Sequence, residues 1–298
     1  MMEKVLITGS NGLLGKYLVQ LYSQQKEIRC IACSRGANRL KQTEGYVYEP
    51  VDFTSEEAFQ TLVRKHRPQV IIHAGAMTQA DDCERNKEAC WNTNVTATEQ
   101  IVKIANEVGA FLVFLSTDFV FDGLSGPYRE EDLVNPVNYY GASKVAAERV
   151  VMQTAKNWAI VRTVLVYGLA DDPKRGNIIT WVRDNLRSGK NIKVVTDQWR
   201  TPTYAGDLAE ACRLIAGKRA GGIFHISGEE MLTPFEMAQQ VAKYYSLDAG
   251  LMIPVDADSF TQPAMRPAKT GFIIEKAKAV LGYQPISFNE GIRLLEQL

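Results

Sequence analysis

Short apolar runs alternate with longer amphipathic segments through the first half of the 298-residue chain. Apolar runs of this length are typical of strands buried in a parallel sheet, and the segments between them have the helical period that covers both faces of such a sheet. The pattern predicts strands at 5–8, 28–34, 47–51, 70–73, 111–116 and 159–163. It predicts helices at 12–24, 55–65, 87–108 and 139–155. We therefore expect the α/β class, with a doubly wound parallel sheet.

The second half of the chain has a less regular pattern. It predicts a helix at 177–188, a strand at 192–195, a helix at 207–216 and a helix that begins at Thr233-Pro234. Four prolines interrupt the later elements: Pro254, Pro263, Pro267 and Pro285. We expect a Rossmann domain at 1–165, to which 196–226 returns, and a smaller carboxy-terminal α/β substrate domain at 166–298.

Composition narrows the class of partner. The chain has 34 Lys and Arg residues and 34 Asp and Glu residues, so its zero formal charge offers no attraction to nucleic acid or an anionic membrane. The first residues lack the apolar core of a signal peptide, and an apolar stretch such as 111–115 is too short to cross a membrane. We expect a cytoplasmic protein with reduced thiols and no nucleic-acid or membrane partner.

A glycine-rich turn joins the first predicted strand to the first predicted helix, with the sequence Thr8-Gly9-Ser-Asn-Gly12-Leu-Leu-Gly15. Glycine lets the backbone turn tightly and approach a pyrophosphate, which the positive amino end of the helix then stabilises. Any tight strand-to-helix turn favours glycine, but the position directly after the first strand favours a dinucleotide site. The candidate cofactor contacts in this turn are Gly9, Ser10, Asn11, Gly12, Leu13 and Leu14.

The end of the second predicted strand indicates which dinucleotide binds. A carboxylate there would accept hydrogen bonds from a ribose 2′-hydroxyl, whereas an arginine accommodates a 2′-phosphate. The chain has Ser34 and Arg35, which both can donate to phosphate oxygens. We therefore favour NADPH bound by the domain at 1–165, with NADH as the alternative. The competing interpretation of Arg35 is a solvated surface arginine.

Residues after the third and fourth predicted strands would border the same cofactor. Asp52 and Phe53 follow the third strand, where the carboxylate suits either the adenine amino group or a simple turn. Ala74, Gly75 and Ala76 follow the fourth strand and are small enough for the backbone to approach the cofactor. We therefore include all five among the candidate cofactor contacts.

The cysteines and histidines show no spacing typical of a metal site. Cys30 and Cys33 are separated by two residues, but they lie in a predicted strand without a second pair nearby. His73 ends a predicted strand beside the glycine-rich turn, where a hydrogen-bonded polar neighbour fits. We expect no metal ligands and no catalytic histidine.

Three residues carry the predicted chemistry. Thr117 lies at the end of the fifth predicted strand, at the sheet edge where doubly wound proteins bind ligands. Tyr140 and Lys144 are four residues apart, so a helix would place them on one face, next to the cofactor. A phenol has a pKa of about 10, which an adjacent ammonium would lower. We expect Thr117 to orient and polarise a carbonyl, Tyr140 to deliver a proton, and Lys144 to lower the Tyr140 pKa and bind ribose hydroxyls.

A tyrosine and a lysine at this spacing also occur by chance on helix surfaces, but chance is a poor explanation together with the glycine turn and Thr117. The combination resembles the extended branch of the short-chain dehydrogenase/reductase family over essentially the whole chain. Within it, the dTDP-4-dehydrorhamnose reductases are most similar. The motifs that carry this resemblance are 116–123, 140–144, Asp197-Gln198, Thr201-Pro-Thr203 and Arg266-Pro267.

The resemblance implies NADPH-dependent reduction of the 4-keto group of a deoxy sugar linked to a nucleotide diphosphate, with dTDP-4-dehydrorhamnose giving dTDP-rhamnose. It also implies that Asn94 supports the active-site helix beside the cofactor and that Asn177 lies near the sugar nucleotide. Arg200 and Arg266 could bind the diphosphate of the substrate, because arginine suits bidentate phosphate contacts. A salt bridge within the protein explains either arginine equally well. The candidate substrate contacts are Thr117, Asp118, Phe119, Asn177, Arg200 and Arg266.

Two departures from the family pattern refine the expectation. Related 4,6-dehydratases have Asp-Glu after the active-site threonine, whereas this chain has Asp118-Phe119, which disfavours dehydration. Leu165 stands where rhamnose-forming reductases usually carry a tryptophan against the sugar. The second departure leaves the identity of the sugar open.

Two other functions fit the same motifs. A nucleotide-sugar epimerase would use this fold and hold its nicotinamide tightly. The segment 200–203 and Leu165 also resemble the regulatory β subunit of methionine adenosyltransferase, which keeps the Tyr/Lys pair. Intact catalytic residues therefore do not decide between an enzyme and a regulatory subunit. The expected partners are a nucleotide-diphosphate sugar and, in a homodimer, a second copy of the chain.

Overall fold

The computed structural model describes residues 2–171 and 176–296. Its first half consists of β1 (Glu3–Thr8), α1 (Leu13–Ser23), β2 (Ile28–Cys33), β3 (Tyr46–Glu49), α2 (Glu56–His66), β4 (Val70–His73), α3 (Ala80–Arg85), α4 (Lys87–Trp91), a π-helical turn (Asn92–Thr96), α5 (Ala97–Val108), β5 (Phe111–Thr117), a 3₁₀ turn (Asp118–Val120), α6 (Tyr139–Thr154) and β6 (Trp158–Thr163). The second half consists of β7 (Val166–Tyr167), α7 (Ile178–Arg187), β8 (Ile192–Val195), β9 (Thr203–Tyr204), α8 (Ala205–Lys218), β10 (Gly222–Ile226), α9 (Pro234–Tyr244), a 3₁₀ turn (Ala249–Leu251), β11 (Met252–Val255), a 3₁₀ turn (Ala257–Ser259), α10 (Glu275–Leu281) and α11 (Phe288–Leu295).

Seven strands form one parallel sheet in the order β10-β6-β5-β4-β1-β2-β3. Helices α1 and α8 cover one face and bury residues such as Leu18 and Ile215. Helices α2, α5 and α6 cover the other face, where Phe59 and Ile104 are buried. The strand order reverses direction between β1 and β4, and at such a point the carboxyl ends of the strands border a crevice. The predicted α/β fold with a doubly wound parallel sheet is confirmed.

The second half of the chain contributes both to the main sheet and to a second apolar core. β10 pairs with β6 in the main sheet, and α8 packs against α1. The helices α7, α9 and α11 and the two-stranded sheet β8–β11 enclose a separate apolar core that includes Val182, Val241 and Ile292. Tyr204, at the end of the small β7–β9 sheet, packs against both cores. The chain therefore returns to the main sheet with α8 and β10 before it completes the second core with α9, β11 and α11.

The helix predicted at 87–108 is observed as α4, the π-helical turn and α5. A π-helical turn inserts an extra residue and so changes the direction of the side chains that follow it. Asn94 lies in this turn, where its side-chain amide binds the N–H and the carbonyl of Met77. The apolar period does not reveal the insertion, because the apolar side chains on both sides of it still reach the core.

Most other predicted elements differ from the structure only at their ends. The strand predicted at 47–51 ends at Glu49, since Val51 donates its N–H to the Glu49 carbonyl. Helix α8 begins at Ala205, before the predicted Asp207. The short elements α3, β7, β9 and β11 have no apolar period long enough to predict them. Among the described residues, no helix has the length and apolar character needed to span a membrane.

Candidate active site

The glycine-rich turn leaves no room for a side chain at Gly9 or at Gly15. Gly9 has a φ of +69°, and a Cβ atom on it would lie 2.7 Å from the Cα of Gly75. A Cβ atom on Gly15 would lie 2.3 Å from the carbonyl oxygen of Gly9. These two glycines therefore let α1 begin directly against the ends of β1 and β4.

The amino end of α1 has the features of an anion site. Its N-cap is Gly12, so in the described part of the chain no side chain caps the first turn, which contains Leu13 and Leu14. The hydroxyl of Ser10 is buried without a hydrogen-bond partner among the described residues. Free N–H groups and an unpaired hydroxyl at a helix amino end fit the pyrophosphate of a dinucleotide.

Asn11 organises the loop that carries Ser34 and Arg35. Its side-chain nitrogen donates to the Ala37 carbonyl at 2.9 Å, and its side-chain oxygen accepts from the Arg39 N–H at 2.9 Å. The side chain of Arg35 is 85% exposed. The structure therefore presents a cation at the carboxyl end of β2, where the sequence predicts a 2′-phosphate.

Asp52 and Phe53 follow β3, and the structure gives both a local role. One carboxylate oxygen of Asp52 accepts from the N–H and the hydroxyl of Thr54, at 3.0 and 2.8 Å, which is the turn role left open by the sequence. The other carboxylate oxygen of Asp52 lies 3.8 Å from the guanidinium of Arg35. Phe53 packs over Gly75, where a Cβ atom would lie 2.4 Å from the ring. An adenine contact at Asp52 stays a prediction.

A buried polar contact fixes the ends of β1 and β4 beneath the glycine turn. The hydroxyl of Thr8 lies 2.7 Å from Nδ1 of His73 and accepts from the Gly75 N–H at 3.3 Å. Burial, with the nearby Lys144, lowers the pKa of His73 to about 3, so the imidazole is neutral. Ala74 is half-buried, and so is Ala76. His73 is thus a hydrogen-bonded support for the predicted cofactor site.

Asn138 caps α6 and so places two of the catalytic candidates. Its side-chain oxygen accepts from the Gly141 N–H at 2.8 Å, and its side-chain nitrogen donates to the Met265 carbonyl at 2.8 Å. Because α6 begins at Tyr139, Tyr140 lies in its first turn and Lys144 one turn later, and both are buried. Asparagine is a preferred cap residue, so the sequence contained this signal.

Thr117, Tyr140 and Lys144 come together where β5 ends against α6. Thr117 is the last residue of β5, and its hydroxyl lies near enough to the Tyr140 phenol to act to lower the pKa of Tyr140. The ring of Phe119 meets the Tyr140 ring edge-on, with centroids 5.9 Å apart. Nζ of Lys144 lies 4.0 Å from the centroid of the Phe114 ring on β5. The structure therefore brings the three predicted catalytic residues to one end of the sheet.

Burial has the largest influence on the pKa values of Tyr140 and Lys144. It raises the pKa of Tyr140, and the negative charge of Asp118 also acts to raise it. Burial lowers the pKa of Lys144 to about 7, although the carboxylate of Glu148 acts in the opposite direction. The expected lowering of the Tyr140 pKa by Lys144 is therefore not found here. A buried amine that is only partly protonated near neutral pH supplies too little charge to offset the desolvation of the phenolate.

The carboxylate one turn after Lys144 is committed to another partner. Glu148 and Arg162 form a buried ion pair with N–O distances of 3.0 and 2.7 Å. Glu148 therefore raises the pKa of Lys144 only from a distance. Sequence reasoning missed this pair, although the four-residue spacing from Lys144 to Glu148 was available as a signal.

Asn94 supports α6 from the π-helical turn. Its side-chain nitrogen donates to the Ser143 hydroxyl at 3.0 Å, and that hydroxyl donates to the Tyr140 carbonyl at 2.7 Å. Cys90 is also part of this contact, with its sulfur 3.5 Å from the Ser143 hydroxyl. The geometry matches the supporting role that the resemblance implied for Asn94. A direct contact between Asn94 and the cofactor stays a prediction.

Asp118 and Arg200, two candidate substrate contacts, are buried and paired with each other. Their exposed fractions are 3% and 5%, and Nε of Arg200 lies 3.8 Å from the Asp118 carboxylate. The other guanidinium nitrogens donate to the carbonyls of Trp199, Pro267 and Ala268. The segment 266–270 covers these side chains and uses their hydrogen-bonding groups. A substrate contact at Asp118 or Arg200 stays a prediction.

Arg266 lies at the surface but is held by a carboxylate. Two of its nitrogens donate to the two carboxylate oxygens of Asp81, at 2.6 and 2.8 Å. This pairing lowers the pKa of Asp81 to about 2. Since the guanidinium is already neutralised, a diphosphate would have to compete with Asp81 for it. A substrate contact at Arg266 stays a prediction.

Asn177 caps α7 and borders an open cavity. Its side-chain oxygen accepts from the N–H groups of Ile179 and Thr180, at 2.9 and 3.1 Å. The cavity has a volume of about 500 Å³, and its lining includes Trp181 and Lys193. The side chain of Trp181 is 41% exposed. An exposed aromatic ring with an amine nearby suits an aromatic base that carries phosphate groups. Sequence reasoning missed both residues, because no spacing connects positions on α7 and β8.

Leu165 is held in an unusual backbone conformation at the carboxyl end of β6. Its φ is +36°, a region that costs energy for residues other than glycine, and its side chain is 41% exposed. Thr203 holds this turn, since its N–H donates to the Leu165 carbonyl at 3.2 Å and its hydroxyl donates to the Val164 carbonyl at 2.6 Å. The position thus presents an apolar side chain at the ligand edge of the sheet.

The described residues contain no group of three or more His, Cys, Asp or Glu side chains placed to hold a metal ion. Cys30 and Cys33 are buried in β2, and burial raises the pKa of each thiol to about 12. Thiols of this kind remain protonated near neutral pH. The two residues therefore contribute to the packing of the sheet.

Comparison with known proteins places the chain in one family. A family model described as RmlD substrate binding domain matches residues 2–297. The methionine adenosyltransferase 2 subunit beta of Bos taurus is 32% identical over 297 residues, which cover 98% of this chain and 86% of that protein. The dTDP-4-dehydrorhamnose reductase of Aggregatibacter actinomycetemcomitans is 28% identical over 307 residues, which cover 98% of each chain.

A solved structure of a related protein supports the same family assignment. The dTDP-4-dehydrorhamnose reductase of Bacillus anthracis, in complex with NADP, is 28% identical and has a TM-score of 0.85, over 100% of this chain and 99% of that one. The resemblance indicated by the Tyr/Lys pair and the strand-end motifs is therefore confirmed. The chain belongs to the RmlD substrate-binding domain family and has the fold of the extended short-chain dehydrogenases/reductases.

Proposed function

We propose that the chain is an NADPH-dependent reductase of the 4-keto group of a nucleotide-linked deoxy sugar, with dTDP-4-dehydrorhamnose to dTDP-rhamnose as the favoured reaction. The observation that carries this proposal is the meeting of Thr117, Tyr140 and Lys144 at the carboxyl edge of the sheet, in a chain whose first helix begins at a glycine turn. The relatives named as dTDP-4-dehydrorhamnose reductases support the reaction class.

The amino end of α1 and the loop after β2 would hold the dinucleotide. The uncapped first turn and the Ser10 hydroxyl suit the pyrophosphate, and the exposed Arg35 suits a 2′-phosphate. The related reductase solved with NADP supports this preference, with NADH as the alternative. When bound, NADPH supplies the hydride that reduces the keto carbon. In this division of labour, 1–165 together with 196–226 binds the cofactor and 166–298 binds the substrate.

The side chains of the site would supply and control the proton. Tyr140 donates its phenolic proton to the keto oxygen as that oxygen gains charge, which gives the alcohol. Burial of Tyr140 and Lys144 keeps water away from the transferred proton. Lys144, with a pKa of about 7, can return a proton to the phenolate near neutral pH. Thr117, at the end of β5, would orient and polarise the keto group beside the phenol.

The cavity beside α7 would receive the nucleotide of the substrate. Trp181 offers an aromatic face, and Lys193 and Asn177 offer polar groups at the same cavity. A nucleotide that bound there would direct its sugar toward the strand ends. Leu165 stands at that edge, and its apolar side chain, smaller than a tryptophan, would influence which sugar fits. A cytoplasmic location and a homodimer stay predictions.

Consumption of NADPH against a panel of 4-keto nucleotide sugars tests this function. We expect turnover with at least one dTDP-linked 4-keto-6-deoxy sugar and a saturable dependence on its concentration. Isolation of the protein with tightly bound oxidised cofactor, together with isomerised sugar and no net NADPH consumption, would instead show an epimerase. Absence of any turnover across the panel, in protein that binds NADPH, would contradict the reductase.

A regulatory subunit is the second candidate, and one comparison specifically favours it. The β subunit of methionine adenosyltransferase 2 is 32% identical over almost the whole chain, a higher identity than that of the reductase from Aggregatibacter actinomycetemcomitans. Purification of this chain with a methionine adenosyltransferase from the same source, and a change in that enzyme's kinetics on mixing, would establish this role. The same experiment with unchanged kinetics and no complex would exclude it.

A further inference from the structure

Phe114, in the middle of β5, presents the face of its ring to the amine of Lys144. The side chain of Phe114 is fully buried, and Nζ of Lys144 lies 4.0 Å from the centroid of the ring. The face of an aromatic ring carries partial negative charge, which attracts a cation within about 6 Å. Among the described residues, Nζ of Lys144 has no hydrogen-bond acceptor. The ring of Phe114 is therefore the close contact that this amine makes.

Two neighbouring strands fix the ring of Phe114. The strands β4 and β5 are parallel, and His73 pairs directly with Phe114. The two rings lie 5.9 Å apart, with their planes inclined by 33°. The imidazole of His73 is held in turn by the Thr8 hydroxyl, at 2.7 Å, and by the Phe53 ring, which meets it edge-on with centroids 5.1 Å apart. A row of rings therefore runs from Phe53 through His73 to Phe114 and ends at Lys144.

The charged groups near Lys144 act on it only from a distance. Burial lowers the pKa of Lys144 to about 7, and Glu148 on α6 and Cys90 on α4 act in the opposite direction. His73 on β4 is neutral, because burial lowers its pKa to about 3. Two further buried charges, on elements packed against α6, are paired with partners of their own: Asp118 and Arg162. In the described part of the chain, the ring of Phe114 thus gives the ammonium a close contact that no anion gives it.

We propose that Phe114 is a positioning residue, which holds the ammonium group of Lys144 against its ring face by a cation–π interaction one helical turn from Tyr140. The interaction favours the charged amine, because the ring attracts an ammonium and not a neutral amine. It keeps on Lys144 a proton that can return to the phenolate near neutral pH. This catalytic consequence rests on the proposed reductase function, whereas the contact between the ring and the amine does not.

Fluorinated phenylalanine at position 114 tests the interaction with little change of shape. Fluorine withdraws charge from the ring face, so the attraction weakens from monofluoro- through difluoro- to trifluorophenylalanine. The ε-carbon resonance of Lys144, assigned with Lys144→Met in protein that contains ¹³C-labelled lysine, follows the protonation of the amine without cofactor or substrate. We expect the pKa of Lys144 to fall stepwise along the series, by about one pH unit in total.

The same series at Phe59 is the matched control. Phe59 is buried on α2 in the apolar core that also contains Phe114, and among the described residues no cation lies over its ring. We expect fluorination of Phe59 to leave the titration of Lys144 unchanged. A Lys144 pKa that stays constant or rises across the Phe114 series would overturn the proposal.

The substitution Phe114→Leu removes the ring and gives the kinetic test. A fall of about one pH unit in the Lys144 pKa leaves about a tenth of the amine protonated at neutral pH, instead of about half. We expect kcat at neutral pH to fall about 5-fold, and to recover about one pH unit lower, if this proton is needed for turnover. Phe59→Leu loses a ring from the same core and should keep the wild-type pH profile. A loss in Phe114→Leu that is equal at every pH, as a cavity alone would give, would contradict the role of the ring.

The titration and the kinetics separate this proposal from the proposed function. If the wild type reduces no sugar but the Lys144 pKa follows the fluorine content of residue 114, the reductase function fails and the positioning role of Phe114 stands. If sugar is reduced but the Lys144 pKa does not follow the fluorine content, the positioning role is wrong and the reductase function stands.

Discussion

The residues proposed for catalysis and the residues proposed for ligand recognition differ in their exposure to solvent. Tyr140 and Lys144 are buried between β5 and α6, and burial moves the pKa values of both. Arg35, after β2, and Trp181, on α7, are exposed by 85% and 41%. A buried group has its reactivity set by the protein, whereas an exposed group is free to meet a ligand. Substitutions in the first region should therefore change rate and pH response, and those in the second should change affinity.

Tyr140→Phe should have the largest effect. It removes the proton donor but keeps the ring, so we expect kcat to fall about 10²- to 10⁴-fold. Steady-state kinetics with the best substrate of the panel measures the fall, and quenching of tryptophan fluorescence by NADPH checks that binding is retained within a few-fold. Near wild-type turnover with an intact fold would show that Tyr140 is not the donor.

Arg35→Ala should weaken NADPH without affecting the chemical step. A hydrogen bond to a charged group contributes about 1.5–3 kcal/mol, so we expect the Kd for NADPH to rise about 10- to 100-fold and the Kd for NADH to change little. Arg29→Ala, at the other end of β2, is the matched control. Equal losses for both dinucleotides would contradict a 2′-phosphate contact, and unchanged values would leave Arg35 as a surface residue.

Lys144→Met should change how stability depends on pH. The folded state holds the Lys144 pKa at about 7, below the value of about 10.4 expected for an unfolded chain. Between these values the unfolded state binds more protons, so this group makes stability rise with pH, by up to about 1.4 kcal/mol per pH unit. Urea unfolding across this range should show a smaller rise in Lys144→Met than in the wild type. The exposed Lys156→Met is the control, and parallel pH profiles for all three proteins would contradict the burial of a lysine charge.

Trp181→Ala should have the smallest effect, confined to the substrate. Loss of one aromatic stacking partner corresponds to about 0.5–1.5 kcal/mol, so we expect the KM for the nucleotide sugar to rise about 2- to 10-fold with kcat unchanged. Tyr244→Ala removes a similarly exposed ring on α9 and should leave the KM unchanged. A change in kcat rather than in KM would place Trp181 outside the binding site for the nucleotide.

Site residues could be predicted from the sequence where their role depends on residues close to them in the chain. The glycine turn, Thr117 and the Tyr140/Lys144 pair are local patterns, since each depends on residues close in sequence and on the strand or helix that carries them. Asn138 and Glu148 were equally local signals that sequence reasoning missed, one as a helix cap and the other by helical spacing. The cavity with Trp181 and Lys193 joins a helix to a strand, so no spacing in the sequence describes it.

The amino-acid sequence was enough to predict the doubly wound sheet and the chemical groups at its carboxyl edge, because the hydrophobic period and the turn residues act over a few neighbours. How those groups are used depends on contacts between residues that are distant in the chain. Asp118 and Arg200 look like ligand contacts in the sequence, yet the fold buries them against each other and against Thr270. Burial also decided the pKa values of Tyr140 and Lys144, since the energy of a charge depends on the water excluded by residues distant in the chain.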